Sequence, residues 1–197
     1  MSILRLKLPT DPRWVNIVET NLEVILSDHA WCEQKAASNA IMLITQNSEK
    51  EDLVTAMLEI SLEEMEHFKM VHDIIKQRGY EFERERKDDY VNELAKYMKK
   101  SSDGSRVSAL VERLLFAAMI EARSCERFKV LSENLKDDEL SKFYRELMES
   151  EAAHYTTFIN LARKYCEHID VEKRWKEWLE HEAKIIANFG KKETVHG

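Results

Sequence analysis

Glu64-Met65-Glu66-His67 and Glu151-Ala152-Ala153-His154 each place a histidine three residues after a glutamate. Positions three apart share one face of a helix, so each stretch can aim a carboxylate and an imidazole at a common point. That is half of a metal site. A further glutamate precedes each motif at nearly the same interval, Glu33 by 31 residues before Glu64 and Glu121 by 30 before Glu151. The layout therefore occurs twice, offset by 88 residues for the lone glutamates and by 87 for the Glu-His motifs. A third match, Glu193-Thr194-Val195-His196, stands after Gly190 at the C-terminal end and reads as frayed tail.

The elements that must carry these residues follow from hydrophobic period. The face bearing Glu64 and His67 runs Leu53, Met57, Ile60, Glu64, His67, Val71, Ile74, and that bearing Glu151 and His154 runs Leu140, Tyr144, Leu147, Glu151, His154, Phe158, Leu161. The remaining two are Leu22, Leu26, His29, Glu33, Ala36, Ala40, Leu43 and Leu110, Leu114, Ala117, Glu121, Ser124, Phe128, Leu131. Steps of three and four put all six candidate ligands in apolar seams. Four inward carboxylates need compensation. Arg or His partners across a metal-free core would supply it for a single Glu-His pair; the duplication favours two divalent cations, whose charge balances four carboxylates. Hard oxygen donors with two imidazoles suit iron or manganese.

The expected metal ligands are thus Glu33, Glu64, His67, Glu121, Glu151 and His154. Glu126 is the rival on the third helix, but Glu121 holds the place of Glu33 and keeps the core phase. Glu63 and Glu66 are out of phase and expected in solvent or as partners behind the ligands. His29, one turn before Glu33 on the same face, is expected as a hydrogen-bonded core histidine, with a supporting partner of Glu33 or an occasional ligand as the alternative. Four helices carrying Glu, Glu-x-x-His, Glu and Glu-x-x-His predict an all-α, ferritin-like four-helix bundle with one long crossover connection and an extra C-terminal helix.

Composition agrees. The 197 residues can bury one core, and 4 Gly with 2 Pro, both prolines in the first 12 residues, leave little to interrupt long helices. A single domain over 1–197 is expected, with hairpins about 12–78 and 106–165, a crossover about 79–105 and a last helix about 171–189. Three cysteines, Cys32, Cys125 and Cys166, show no Cys-x-x-Cys spacing, which fits a reducing cytoplasm. No apolar leader stands at the start, and no apolar run approaches the roughly 20 residues of a membrane span. The net charge of -7 argues against a general nucleic-acid binder but leaves room for a local basic face.

In chain order, Asp11-Pro12 should start a first helix reaching about Gln46. Ser48-Glu49-Lys50-Glu51 reads as a capping box for the second, which Gly79 should end. The crossover holds a short amphipathic piece around Val91, Leu94 and Met98 and the basic residues Arg84, Arg86, Lys87, Lys96, Lys99, Lys100 and Arg106. The third helix should span about Val107–Ser132 and the fourth about Asp137–Tyr165. Asp170 should cap a fifth with an apolar stripe of Trp175, Trp178 and Leu179, beside the basic cluster Lys173, Arg174, Lys176.

Longer stretches then carry a resemblance. Leu8-Pro9-Thr10-Asp11-Pro12-Arg13-Trp14-Val15, His29-Ala30-Trp31-Cys32-Glu33-Gln34-Lys35-Ala36-Ala37, Glu85-Arg86-Lys87-Asp88-Asp89-Tyr90, Ile120-Glu121-Ala122-Arg123-Ser124-Cys125-Glu126-Arg127-Phe128 and Ser150-Glu151-Ala152-Ala153-His154-Tyr155 resemble the bacterial tRNA 2-methylthio-N6-isopentenyladenosine hydroxylases, ferritin-like di-iron monooxygenases. The resemblance implies hydroxylation of the isopentenyl group of a hypermodified adenosine next to the anticodon. It implies two iron ions on the same six residues, O₂ as co-substrate, a tRNA substrate and an external electron-donor protein, in a cytoplasmic monomer or dimer. Glu64 and Glu151 would bridge the ions, with Glu33 and Glu121 more terminal. An iron-oxidising storage protein or a manganese catalase shares the ligand types and is the alternative.

Overall fold

The computed structural model describes residues 4–98, 106–166 and 169–189. Among these, every regular element is an α-helix: α1 (Trp14–Thr20), α2 (Leu22–Gln46), α3 (Glu51–Gln77), α4 (Asp89–Ala95), α5 (Arg106–Asn134), α6 (Asp138–Tyr165) and α7 (Val171–Phe189). They divide between two compact units, one spanning Asn16–Lys87 and the other combining the segment before Asn16 with the chain from Asp88 onward.

In the first unit α2 and α3 pack as a helical hairpin. Its seam is Ile25, Leu26, Ala30, Ala37, Ala40 and Leu43 against Leu53, Met57, Ile60, Val71 and Ile75. Ile75, and not the expected Ile74, is the buried residue at the end of α3. The first helix is not continuous. It breaks at Asn21, whose side-chain amide donates to the Ile17 carbonyl (2.8 Å) while the Thr20 hydroxyl donates to those of Asn16 and Ile17. Side chains that bond to carbonyls of the preceding turn compete with the helix's own ladder. The expected capping box does not form either, since Lys50 occupies the N-cap with no side-chain cap.

At its other end α3 closes as expected. Gly79 adopts φ +69°, its N–H reaching the Lys76 carbonyl and that of Tyr80 reaching Ile75, the paired bonds of a Schellman cap. The chain then runs back along α2 as a strap. Glu23 accepts from the Glu81 N–H (2.7 Å), Ser27 from the Glu83 N–H (3.1 Å), Trp31 donates to the Glu83 carbonyl (2.9 Å), and Lys35 meets Glu85 (3.0 Å). Two extended residues advance about 6.6 Å and four helical residues about 6 Å, so every second strap residue meets every fourth helix residue. Phe82 lies stacked on Trp31, with ring centroids 4.9 Å apart.

In the second unit α5 and α6 form the other hairpin, and α4 and α7 pack beside α5. Asp88, Asp137 and Asp170 cap α4, α6 and α7 through their side chains. The short amphipathic piece is α4, which buries Tyr90 and Leu94 rather than Val91 and Met98. Two arginines knit this unit internally. Arg123, fully buried, meets Glu182 (2.6 Å), Glu126 (2.8 Å) and the Leu8 carbonyl (3.0 Å). Arg174 is bidentate to Glu112 (2.6 and 2.8 Å) and donates to the Tyr97 carbonyl (3.1 Å). Arg174 is therefore no part of a solvent-facing basic cluster, as its sequence neighbourhood suggested; Lys173 and Lys176 remain exposed.

Two outcomes follow for stability. A Cβ at Gly79 would meet nothing within 4 Å, so Gly79→Ala bears only the left-handed backbone strain. It should lower unfolding free energy by about 1–2 kcal/mol, seen as a reduced urea midpoint at unchanged slope. Arg174→Ala strands the Glu112 carboxylate and should cost about 3–5 kcal/mol, whereas Arg174→Met with Glu112→Leu should recover most of that in the same titration.

Candidate metal centre

Each hairpin buries a triad of carboxylates and imidazole. On α2 and α3, Glu33, Glu64 and His67 are 4%, 0% and 8% exposed. Each offers a ligand atom within 4.8 Å of the others'. The His67 Nδ1 lies 3.6 Å from Glu64 and 3.7 Å from Glu33. His29 approaches Glu33 from one turn earlier, its Nε2 2.6 Å from the carboxylate. His29 is thus a buried, hydrogen-bonded histidine whose partner is Glu33 itself, the alternative the sequence had left open, and it fixes which way Glu33 points.

The electrostatics of this triad describe a pocket made for a cation. Burial pushes the Glu33 carboxyl up, but its close polar neighbours Glu64, His29 and His67 outweigh it and hold Glu33 well below the usual carboxylate range. Burial lowers His67, yet the Glu33 and Glu64 carboxylates drive it up to about 10. The carboxylates thus bind positive charge strongly, and in the metal-free chain a proton on the imidazole supplies it.

On α5 and α6 the second triad is Glu121, Glu151 and His154, 4%, 2% and 2% exposed, again with ligand atoms within 4.8 Å of one another. Glu126, the sequence rival of Glu121, is held by the Thr10 N–H (2.8 Å), the Thr10 hydroxyl (2.6 Å) and Arg123, which occupies it elsewhere. Glu63 and Glu66 are exposed, as their phase required. Glu193 and His196 lie outside the described residues. Burial first, then Glu126 and Glu121, push the Cys125 thiol up to about 11, and it donates to the Met148 carbonyl. It stays protonated and is no thiolate ligand.

The donor set fits hard or borderline divalent metals. Carboxylate oxygens and imidazole nitrogens, with no thiolate, are the chemistry of iron and manganese sites. Both triads draw their glutamate and histidine from one helical turn, so rotamer choice alone adjusts the bite. Sequence period found these residues because ligands and core share one face. It missed the features set by long-range pairing: the α2 strap, the Arg123–Glu182 pair, and the Thr10 clamp on Glu126. A step-of-four stripe Glu23, Ser27, Trp31, Lys35 against a step-of-two stripe Glu81, Glu83, Glu85 was the available signal for the first of them.

Replacing Glu64 or Glu151 by Ala removes a carboxylate from one triad. Each variant should bind less metal than the parent by elemental analysis, and the rise in melting temperature on adding Fe(II) anaerobically should shrink in each. Unchanged metal content in both would return these glutamates to a purely structural role.

Comparison with known proteins supplies a context for this chemistry. The family model described as tRNA-(MS[2]IO[6]A)-hydroxylase (MiaE) matches residues 2–197. A tRNA 2-(methylsulfanyl)-N(6)-isopentenyladenosine(37) hydroxylase of Pseudomonas putida KT2440 is 35% identical over 165 residues, covering 84% of this chain and 78% of that one. The enzyme of the same name from Salmonella typhimurium LT2 is 26% identical, with 97% and 87% covered. Among solved structures, a Synechococcus protein described as having aldehyde deformylating oxygenase activity superposes with a TM-score of 0.87 at 29% identity, covering 98% of this chain and 95% of that one. The fold class is accordingly all-α and ferritin-like, as the duplicated hairpin predicted.

Proposed function

Because the chain belongs to the tRNA-(MS[2]IO[6]A)-hydroxylase family, we propose that it hydroxylates the isopentenyl group of 2-methylthio-N6-isopentenyladenosine in tRNA, next to the anticodon. In this reading the two units act as one catalytic domain. Glu33, Glu64, His67, Glu121, Glu151 and His154 hold two iron ions, and O₂ is the co-substrate. The observation that carries the proposal is the pair of buried Glu/Glu-x-x-His triads in a chain matched to this family along nearly its whole length.

When bound, iron supplies the oxidising power toward an unactivated C–H bond that no side chain possesses. The protein's part is to hold and insulate. Glu33 stays anionic under the hydrogen bonds of its neighbours, and His29 orients it. The apolar residues one turn to either side of each motif, Ile60 and Val71 on α3 and Leu147 and Phe158 on α6, are buried and exclude water from the donors. A dry surround protects a strong oxidant from side reactions.

Atoms and electrons set a further requirement. Converting C–H and O₂ to C–OH and water consumes two electrons and two protons, so a reduced electron-carrier protein must meet this chain. The chain's cysteines, Cys32, Cys125 and Cys166, are free thiols and make no redox pair. The substrate adenosine lies in a single-stranded loop, where a base can be splayed out and read by stacking and local contacts. Exposed Arg84, Arg86, Lys87 and Lys96, together with Lys173 and Lys176, are the candidate tRNA-facing residues. Arg86 and Lys96 are partly engaged by Glu83 and Glu93. Lys99, Lys100 and the Arg106 side chain lie outside the described residues. No described helix is long and apolar enough to cross a membrane, and a cytoplasmic enzyme is the proposal.

The test is direct. Protein reconstituted anaerobically with Fe(II) should hold about two iron ions per chain. Given a chemical or enzymatic electron source, tRNA bearing the isopentenyl adenosine and isotopically labelled O₂, it should yield a nucleoside carrying one labelled oxygen by mass spectrometry. Iron loading without oxygen transfer, accompanied by mineral formation or by oxygen release from peroxide, would replace this reading with storage or catalase chemistry.

A further inference from the structure

The two triads match in their candidate ligands but not in what stands behind them. In the first unit the His29 Nε2 lies 2.6 Å from Oε1 of Glu33, and both side chains are buried. The other oxygen, Oε2, is turned to the triad: the His67 Nδ1 is 3.7 Å from it and 3.6 Å from an oxygen of Glu64. Donor atoms that share one divalent ion each lie about 2.0–2.2 Å from it, and so stand roughly 3–4 Å from one another. Oε2 therefore has the spacing of a ligand, and Oε1 that of a hydrogen-bond acceptor. An ionised carboxylate only accepts, so the ring donates through Nε2–H.

Glu121 has no such donor one turn before it. Ala117 stands 88 residues after His29, the same offset that separates Glu121 from Glu33, and it is buried with only a methyl group to offer. One turn after Glu121 the Cys125 thiol donates to the Met148 carbonyl instead. The duplicated layout thus holds for all six candidate ligands and breaks at the position behind one of them. The two triads carry the same charges, so the break leaves charge balance untouched and changes only how many oxygens each lone glutamate can give. A short, charge-assisted bond inside the fold is among the stronger hydrogen bonds a protein makes, and Oε1 of Glu33 could join a metal only by lengthening it.

We propose that His29 restricts Glu33 to a single oxygen, Oε2, toward a metal while Glu121 can give both of its own, so that the two metal positions are inequivalent and the one on α2 and α3 keeps a place open for an exogenous ligand. The inference rests on the two-iron reading above and deepens it. A catalytic metal needs a position that the protein does not fill, and here the chain reserves it with one imidazole rather than with a different ligand. His29 is a positioning residue in this scheme, since it touches the carboxylate and not the metal.

Mössbauer spectra of the full chain, loaded anaerobically with isotopically enriched Fe(II), test this without any turnover. Wild type should show two ferrous quadrupole doublets of equal area. His67→Ala and His154→Ala, each removing one imidazole, assign the doublets to the first and second triads. His29→Leu, an apolar replacement of similar size, should still bind two irons, and the doublet of the first triad should move toward that of the second. His29→Gln, whose amide can donate in place of the ring, should keep the wild-type positions. A merely structural histidine predicts otherwise: His29→Leu would lose iron from the first triad, by about 10–100-fold in affinity as for other outer partners of metal ligands, and leave both doublets where they were. That outcome, or a single doublet from the two irons of wild type, overturns the proposal. Should His29→Leu fail to fold, His29→Ala carries the same comparison, and wild type still decides between one doublet and two. Wild-type protein that binds fewer than two irons overturns the functional reading itself; two irons in two doublets that no His29 variant moves overturn this inference alone.

Discussion

A carboxylate removed from water must find positive charge or take up a proton, and this chain buries such groups in pairs inside each hairpin. Glu33 and Glu64 share one core and Glu121 and Glu151 the other, each pair beside a histidine. The cost of dehydrating a carboxylate is several kcal/mol even after relaxation. Nothing in a purely structural helix pair would call for that expense twice at matched positions. The metal-free chain meets it at the first triad with a proton on His67, and a divalent cation would meet it with more charge. If these residues hold metal as proposed, the same side chains set both stability and metal affinity.

The same residue type is put to a second use in the unit that follows Lys87. Glu112, Glu126 and Glu182 also lie within the fold, but each faces an arginine: Arg174 for the first and Arg123 for the other two. A guanidinium cannot give up its proton at working pH and cannot ligate a metal, so these pairs are closed. An imidazole can do both. What separates a structural glutamate from a candidate ligand here is the cation opposite it, not its burial. Arg123 also reaches the Leu8 carbonyl, and with Glu126 it holds Thr10, so the N-terminal segment is tied to the helix that carries Glu121 by charge-assisted bonds at the turn next to that carboxylate.

How much of this was legible in the chain depends on whether the feature is periodic. The four faces were in the main, because a ligand in a helical seam repeats with the core around it: Leu110 through Leu131 on α5 and Leu140 through Leu161 on α6 are buried at every position of their stripes, whereas on α2 and α3 Leu22, Ala36 and Ile74 are only half-buried. Preferring Glu121 over Glu126 needed only phase. Aperiodic features escaped. The break at Asn21 comes from two side chains outcompeting a ladder whose propensity is otherwise helical. The unformed box at Ser48 shows that a capping motif states what is possible, while the loop from Asn47 to Lys50 settles on another closure, the Lys50 N–H reaching the Asn47 carbonyl. Arg174 looked like a surface cation because its partners, Glu112 and Tyr97, are distant in sequence.

That last pairing bears on how an acidic chain can act on a polyanion. Net charge is -7, and three of its cations, Arg123, Arg127 and Arg174, are buried and unavailable to a phosphate backbone. Of those outside, Lys35, Arg86, Lys96 and Lys129 each stand against a carboxylate. Long-range steering of an RNA toward so acidic a chain is weak except where exposed cations such as Arg84, Lys87, Lys173 and Lys176 stand together in sequence. Burial of the apolar isopentenyl group would add to recognition what so acidic a chain does not supply through the backbone. An enzyme built this way discriminates by what the loop carries rather than by how strongly it holds RNA, which suits a catalyst that must release a tRNA as soon as one oxygen atom has been added.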